Sequence, residues 1–219
     1  MSLKPMTALI MPQVALLKDA NIARYEQKLA NDRRLEHYRR QVPKRYHLES
    51  LDTYVTETAE QREALEAARG FVNCVNGGGI QTLLLLGSVG TGKTHLACGI
   101  IREAGGLYRF ASEIVEEFRR AKSFSAKDTE ADILECYGNA RLLVVDEIGR
   151  GISAEEEQCV AYKIINTRYD SLKPTVLISN YSKRDFLKYI GLAAADRLAE
   201  TARMVELTGS SYRVSLKIS

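Results

Sequence analysis

Long apolar runs and paired cysteines are both absent from this sequence of 219 residues. No uninterrupted apolar stretch approaches the roughly 20 residues that cross a bilayer, so we expect no membrane-spanning helix. The four cysteines include no C-x-x-C pair, which argues against a disulfide framework or a metal site. Prolines interrupt the mildly apolar start of the chain and no small-residue cleavage site follows, so a signal peptide is not expected. We therefore expect a cytoplasmic protein.

The charge of the chain is small overall but unevenly distributed. The net charge is +3, yet residues 18–45 contain nine Lys or Arg against four Asp or Glu. Apolar residues at helical spacing predict a helix over residues 21–40, ended by Val42 and Pro43. We expect residues 1–42 to form a basic, helical adaptor segment beside one main domain over residues 43–219. The charged face of this helix suits a partner protein, phosphate groups or solvent alone.

Strands and helices alternate through the main domain. Apolar runs at residues 82–86, 142–145 and 175–179 predict buried strands, and a shorter strand is predicted at 107–110. Helices are predicted before and between these strands. The first helix starts with a capping box at Thr58 and Gln61. Two helices and a closing pair of strands, at 204–207 and 212–218, follow. This order is typical of an α/β fold with a central parallel sheet flanked by helices.

A glycine-rich loop follows the first buried strand. It matches G-x-x-x-x-G-K-[ST] at every fixed position and consists of Gly87, Ser88, Val89, Gly90, Thr91, Gly92, Lys93 and Thr94. In such a loop the backbone N–H groups surround phosphates, the lysine contacts the β and γ phosphates, and the threonine hydroxyl binds Mg²⁺. We include the next residue, His95, among the predicted nucleotide contacts. The sequence therefore predicts a site for a nucleoside triphosphate with magnesium.

Polar residues end two other predicted strands. Asp146 and Glu147 follow the apolar run at 142–145, and Asn180 follows the strand at 175–179. The carboxyl ends of parallel strands meet at one edge of a sheet, where ligands bind. Asp146 is predicted to hold Mg²⁺, and Glu147 to polarise a water for attack on the γ phosphate. Asn180 is predicted to orient that water, although an Asn at a strand end is more often a turn former.

The nucleotide and the reaction follow from the same residues. The sequence contains no N-K-x-D motif that would recognise guanine, so ATP is the predicted nucleotide. A small-molecule kinase with the same loop is an alternative of another class. It is disfavoured because Glu147 and Asn180 suit water activation and no arginine-rich acceptor lid is found. The prediction is therefore an ATPase.

With these motifs in order, the chain resembles the AAA+ ATPases of the DnaC/IstB type from about Val42 to the C-terminus. The resemblance includes the segments 42–46 and 108–118, Asp196 and Arg197 before Leu198, and the closing segment 209–213. It implies an AAA+ ATPase domain over residues 43–219 that assembles side by side with other copies. Single-stranded DNA would lie along the inner surface, and the N-terminal segment would grip a replicative helicase hexamer.

The resemblance also implies roles for basic residues. Arg197 would be presented to the ATP of a neighbouring subunit as an arginine finger. Arg168 is a weaker candidate, with compensation of a helix dipole as its alternative role. Arg213 would either contact nucleotide or hold the last strand. Lys122 and Lys127 would contact DNA phosphates.

Two functions of this family remain open from the sequence. The first is a helicase loader, in which ATP binding drives assembly on DNA and helicase and hydrolysis releases the loader. The second is a transposition helper ATPase that marks target DNA. The sequence does not separate a chromosomal role from one in a phage or a mobile element.

Overall fold

The computed structural model describes residues 7–209, with side chains from residue 21 onward. The chain divides into two units, Met1–Arg40 and Gln41–Ser219. The predicted strand at 212–218 and Arg213 lie outside the described residues. None of the helices within the described part of the chain is long and apolar enough to cross a membrane.

One long helix, α1 (Thr7–Gln41), accounts for the described part of the first unit. It begins 14 residues before the predicted start at residue 21, and it continues through Pro12. Side chains of residues 21–34 are all exposed, including the apolar Ile22, Tyr25 and Leu29.

The second unit contains, within the described residues, a sheet of five strands. They are β1 (Thr82–Gly87), β2 (Leu107–Phe110), β3 (Leu143–Ile148), β4 (Thr175–Ser179) and β5 (Ala202–Leu207). Their order across the sheet is β2-β3-β4-β1-β5, and every neighbouring pair is parallel. All six residues of β1 are buried, as its uninterrupted apolar run predicts for a central strand covered on both faces.

Helices cover both faces of the sheet. They are α2 (Ala59–Asn76), α3 (Lys93–Ala104), α4 (Ala111–Ala121), α5 (Glu130–Asn139), α6 (Ala154–Asp170), α7 (Lys183–Ile190) and α8 (Leu192–Thr201). The capping box predicted for α2 is present, with Thr58 and Gln61 each bonded to the backbone N–H of the other. Apolar residues of α4, α6, α7 and α8 form one core with β1, β3 and β4. The predicted α/β alternation is confirmed.

Strand β3 departs from its prediction in a way that matters for the site. The predicted strand ends at residue 145, whereas β3 continues to Ile148 and contains Asp146 and Glu147. Its pairing with β4 shifts register between Val145 and Ile148. The two acidic residues therefore lie where the regular ladder is interrupted, which frees backbone and side-chain groups at this edge for other partners.

The lead-in segment, residues 42–58 between α1 and α2, packs along α3. Leu51 is fully buried, and a Cβ added at Gly99 of α3 would lie 2.7 Å from its side chain. Arg102 of α3 donates hydrogen bonds to the carbonyls of Leu48 (3.0 Å) and Glu49 (2.9 Å). The close approach at Gly99 and these two bonds fix the lead-in segment beside the helix that follows the glycine-rich loop.

Candidate nucleotide site

A cavity of about 440 Å³ opens at the carboxyl ends of β1, β3 and β4. Three parts of the chain form its walls: the lead-in segment with the start of α2, the glycine-rich loop with the start of α3, and the ends of β3 and β4. The lining residues are Arg45, Tyr46, Glu49, Thr53, Tyr54, Val55, Gln61, Val89, Gly90, Thr91, Gly92, Lys93, Thr94, His95, Asp146, Glu147, Arg150, Ile178, Ser179 and Asn180.

The glycines of the loop are required by close contacts at both ends. Gly87 has φ +109°, and a Cβ there would lie 2.2 Å from the carbonyl oxygen of Leu207 in β5. Gly92 has φ +93°, and a Cβ there would lie 2.6 Å from the ring of Tyr54. Both backbone angles are in the region that glycine adopts readily and other residues rarely do. The loop is thus built tightly between the last described strand and the lead-in segment.

Lys93 turns its ammonium group into the loop. Its Nζ donates to the carbonyl oxygens of Gly87 (2.8 Å) and Ser88 (2.7 Å), and the residue is buried. An ammonium group has three N–H donors and no acceptor. It is therefore held where it can donate to phosphate oxygens that enter the loop.

Asp146 is a buried carboxylate held by neighbouring hydroxyl groups. The hydroxyls of Thr94 and Tyr108 both donate to its Oδ2, at 2.9 Å and 2.6 Å. Burial raises the pKa of Asp146, and the hydrogen bonds from Tyr108 and Thr94 oppose that rise. Burial and the adjacent carboxylate raise the pKa of the Tyr108 hydroxyl.

The donor set at Asp146 suits magnesium bound together with a nucleotide. Thr94 and Asp146 offer two hard oxygen donors side by side. The described residues contain no group of three or more His, Cys, Asp or Glu that would hold a metal alone. Magnesium is usually bound by one or two carboxylates together with substrate phosphates and water. The residues present therefore fit Mg²⁺ as part of a metal–nucleotide complex.

Glu147 and Asn180 face the same cavity from neighbouring strands. Glu147 has φ +60°, an uncommon conformation for a residue other than glycine. Its N–H donates to Asp146 Oδ1 at 2.6 Å, which directs the two acidic side chains differently. The Glu147 carboxylate is half-exposed, with the guanidinium of Arg150 at 3.5 Å. The two carboxylates therefore differ: one is buried beside Thr94, and the other is open to the cavity and able to accept a proton.

The lead-in segment forms the wall opposite the strand ends. The Tyr54 hydroxyl donates to the carbonyl of Thr91 (3.1 Å), and burial raises the pKa of Tyr54 to about 12. His95 Nε2 lies 2.9 Å from the Ser50 carbonyl and 3.1 Å from the Thr53 hydroxyl. His95 thus lines the cavity and connects α3 to the lead-in segment, and its contact with nucleotide stays a prediction.

Arg197 does not line this cavity. It lies on α8 in a small pocket with Thr82 and Thr175, the first residues of β1 and β4. Its guanidinium stands 5.5 Å from the centre of the Tyr169 ring and donates to the Ala193 carbonyl at 3.4 Å. The amino ends of parallel strands lie at the opposite edge from their carboxyl ends, so Arg197 is remote from the glycine-rich loop of its own chain.

Arg168 is buried and fully occupied by backbone carbonyls. Its guanidinium donates to the carbonyls of Tyr137, Ala140 (3.0 Å) and Pro174 (2.6 Å), and its Nε donates to the Thr175 hydroxyl (2.8 Å). Burial lowers the pKa of Arg168 to about 10. A side chain bound in this way joins α5, α6 and β4 in the interior of the domain, where it is 1% exposed.

The sequence analysis did not identify several residues that line the cavity or contact its acidic residues. Tyr108 bonds Asp146 from β2, Tyr54 supports the glycine-rich loop, and Arg45 and Arg150 bring positive charge to the cavity. A tyrosine in a strand beside the Asp–Glu strand is a signal for the first of these. The others depend on contacts between parts of the chain that are far apart in sequence.

Comparisons with known proteins assign the chain to a family. The family model described as IstB-like ATP binding protein matches residues 14–219. The chain belongs to this family. It is 31% identical over 156 residues to the replicative helicase loader DnaC of Escherichia coli (strain K12), which covers 68% of this chain and 62% of that protein. It is 30% identical over 147 residues to the ATP-binding protein of insertion sequence IS21 from Pseudomonas aeruginosa, covering 63% of this chain and 54% of that protein.

A solved structure shares the fold. A crystal structure of the DnaC helicase loader superposes with a TM-score of 0.65 at 24% identity, covering 76% of this chain and 100% of that one. The predicted P-loop AAA+ fold and the resemblance to the DnaC/IstB type are both confirmed. This chain spans only 62% and 54% of the length of the two curated relatives described above.

Proposed function

We propose that this protein is an ATPase that loads a replicative helicase onto single-stranded DNA. The observation that carries the ATPase part is the cavity that joins Lys93, Thr94, Asp146, Glu147 and Asn180. The relation to the DnaC loader supports the choice of partner.

The residues of the cavity have different roles in ATP hydrolysis. The loop N–H groups and Lys93 bind the phosphates, and Thr94 and Asp146 would hold Mg²⁺, which would supply positive charge beside the phosphates. Glu147 accepts a proton from the attacking water while Asn180 orients that water. Arg197 of a neighbouring copy supplies the arginine finger, because within one chain it lies at the other edge of the sheet. The active unit is therefore a homo-oligomer whose ATP sites are shared between subunits.

Contact with single-stranded DNA is assigned to the segment between α4 and α5. Phe124 is fully exposed there, and Lys122 and Lys127 flank it. An exposed aromatic ring can stack on a base of any sequence, and nearby lysines neutralise phosphates. This combination supports binding that depends on salt and little on sequence.

We assign binding of the helicase to the N-terminal segment, residues 1–42. Ile22, Tyr25 and Leu29 are exposed apolar residues at helical spacing among basic side chains. Exposed apolar residues at helical spacing can bind a groove on a partner protein. The Met1–Arg40 unit thus serves as the adaptor and residues 43–219 as the motor.

A transposition helper is the second candidate, favoured by the relation to the IS21 protein. Capture with the tagged full-length chain separates the two: a loader retains a hexameric replicative helicase, whereas a transposition helper retains a transposase. A chain lacking residues 1–40 should lose the helicase. Retention of the transposase alone would reverse the ranking.

Turnover measurements test the ATPase itself. We expect ATP hydrolysis to rise with single-stranded DNA or helicase, and Lys93→Ala to lose nucleotide binding because the phosphates lose their ammonium partner. Micromolar ATP affinity in Lys93→Ala would contradict the site assignment.

A further inference from the structure

The turn at residues 148–151 directly follows Glu147, whose φ of +60° is uncommon for a residue other than glycine. Gly149 within the turn has φ +90°, which glycine adopts readily. A conformation such as that of Glu147 persists only where the surroundings determine it. A Cβ at Gly149 would lie 2.3 Å from the Tyr181 ring, so this turn is pressed against β4 and its following loop.

Glu157 of α6 is the side chain that fixes this turn. Its carboxylate accepts hydrogen bonds from the N–H groups of Gly149 and Gly151 (2.7 Å to Gly151) and from the Tyr189 hydroxyl (3.0 Å). Glu157 is 1% exposed, and all three of these donors are neutral. A buried carboxylate is costly unless strong hydrogen bonds compensate for lost water. The turn supplies two of the three bonds.

The position of the turn sets what faces the nucleotide cavity. Arg150 lies between the two N–H groups that Glu157 binds, and its side chain lines the cavity beside Glu147, at 3.5 Å. The Ser179 hydroxyl donates to the Ile148 carbonyl (2.6 Å), and the Tyr181 hydroxyl donates to the Gly149 carbonyl (3.3 Å). These bonds hold the strand-facing side of the turn, and Glu157 holds its other side.

We propose that Glu157 is a positioning residue for ATP hydrolysis: it holds the turn 148–151 so that Glu147 and Arg150 keep their orientation toward the cavity. This proposal rests on the ATPase function proposed above. Glu157 contributes nothing to phosphate binding directly, since it does not line the cavity. Its loss should therefore reduce catalysis while leaving ATP affinity intact.

Glu157→Gln is the first test, because it keeps the shape of the side chain but replaces one acceptor oxygen with an amide that faces an N–H donor. We expect kcat to fall between about ten- and a hundredfold, the scale of a misplacement of about 1 Å in a catalytic group. KM and the dissociation constant for ATP should stay close to those of the wild type. Glu155→Gln is the matched control, since Glu155 is exposed in the same helical turn.

Gly151→Ala disturbs the same contact from the other side. A Cβ at Gly151 would lie 2.3 Å from Glu157 Oε2, so this variant should reproduce the loss of kcat. Gly70→Ala is its control, because a Cβ there meets nothing closer than 4.0 Å. Unchanged kcat in both Glu157→Gln and Gly151→Ala would overturn the proposal. Loss of ATP affinity together with kcat would overturn it too and assign Glu157 to stability of the domain.

Limited trypsin digestion reports on the turn without nucleotide. Cleavage after Arg150 should be faster in Glu157→Gln and Gly151→Ala than in their controls, because a loosened loop is cut more readily. Unaltered cleavage would also count against the proposal. If the wild type shows no hydrolysis that Glu147→Gln removes, the proposed ATPase function fails, and the digestion still decides whether Glu157 holds the turn.

Discussion

The two edges of the sheet carry different side chains. At the carboxyl edge, the ends of β1, β3 and β4 bring a lysine, two carboxylates and an asparagine around one cavity. At the amino edge, the starts of β1 and β4 lie beside Arg168 and Arg197. The six residues of β1 separate these edges by about 20 Å at about 3.3 Å per residue. One chain thus carries the predicted phosphate-binding edge and an arginine-bearing edge that lie on opposite sides of its sheet. Both can belong to one site only when copies of the chain stand side by side.

The two arginines of the amino edge differ in how completely their side chains are buried and hydrogen-bonded. Arg168 is buried and bound by three backbone carbonyls, at the end of α5 and just before β4. Arg197 is half-buried, donates to one carbonyl at 3.4 Å, and keeps a buried Nε without a hydrogen-bond partner in the described residues. A buried donor without a partner is unusual. The first arginine is committed to the fold, and the second is available for a function.

Replacement of Arg197 should have the largest effect. Arg197→Ala is expected to lower ATP turnover by about 10³- to 10⁵-fold, the contribution of an arginine finger. Turnover at saturating ATP is the measurement. Undiminished turnover would remove Arg197 from this role.

Mixing experiments test whether the site is shared. Arg197→Ala retains an intact carboxyl edge, and Glu147→Gln retains an intact Arg197. If subunits share sites, mixing the two inactive variants should restore part of the turnover, because some interfaces then combine two intact halves. Failure of any mixture to recover activity would contradict a shared site.

Glu147→Gln should come next in size. Removal of a general base costs about 10²- to 10⁴-fold in rate, and ATP binding should remain because Lys93 and the loop are unchanged. Equilibrium binding of a fluorescent ATP analogue, measured beside turnover, separates these effects. Loss of binding in this variant would make Glu147 part of the nucleotide-holding structure instead.

Arg168→Met should act on stability. The change leaves several buried carbonyls without a donor, at about 1–3 kcal/mol each, so the free energy of unfolding should fall by about 3 kcal/mol or more. Denaturant unfolding measures it, with Arg197→Met as the matched control, expected to change stability by less than about 0.5 kcal/mol. A stable Arg168→Met chain that has lost turnover would reverse the roles of the two arginines.

Tyr108→Phe should give the smallest effect, a shift in pH dependence. Burial raises the pKa of Asp146, and the Tyr108 hydroxyl opposes the rise by stabilising the ionised carboxylate. Without this bond the pKa rises further, so protonation begins at higher pH and the acidic limb of the turnover profile moves to higher pH. Tyr137→Phe is the control, because its hydroxyl bonds Glu117 on α4. A downward shift would contradict the stated role of Tyr108.

Local patterns predicted most of the helices and strands. Apolar runs identified the buried strands, and the glycine loop with Asp146, Glu147 and Asn180 could be assigned to one edge because parallel strands align their carboxyl ends. The structure brings these residues to one cavity. What they do there remains a prediction that the variants above test.

The rest could not be predicted because it depends on contacts between distant segments. Glu157 looked like one of three acids at a helix start, and only the fold brings it to Gly149 and Gly151. Arg168 looked like a charge at a helix end, whereas its burial depends on how α5 and β4 surround it. The start of α1 at Thr7 was missed because the predicted helix followed the apolar residues at helical spacing, which begin at Ile22.

The glycine-rich loop is held by residues that the ribosome adds much later in synthesis. The N–H groups of Gly87 and Ser88 donate to the carbonyls of Tyr181 (3.0 Å) and Leu207 (2.8 Å), both made more than 90 residues later on the ribosome. Strand β1 pairs with β4 and β5, which are later in the chain as well. We therefore expect a nascent chain to acquire ATP affinity only after Leu207 has emerged, so that a stalled or truncated product would neither hold ATP nor compete for it.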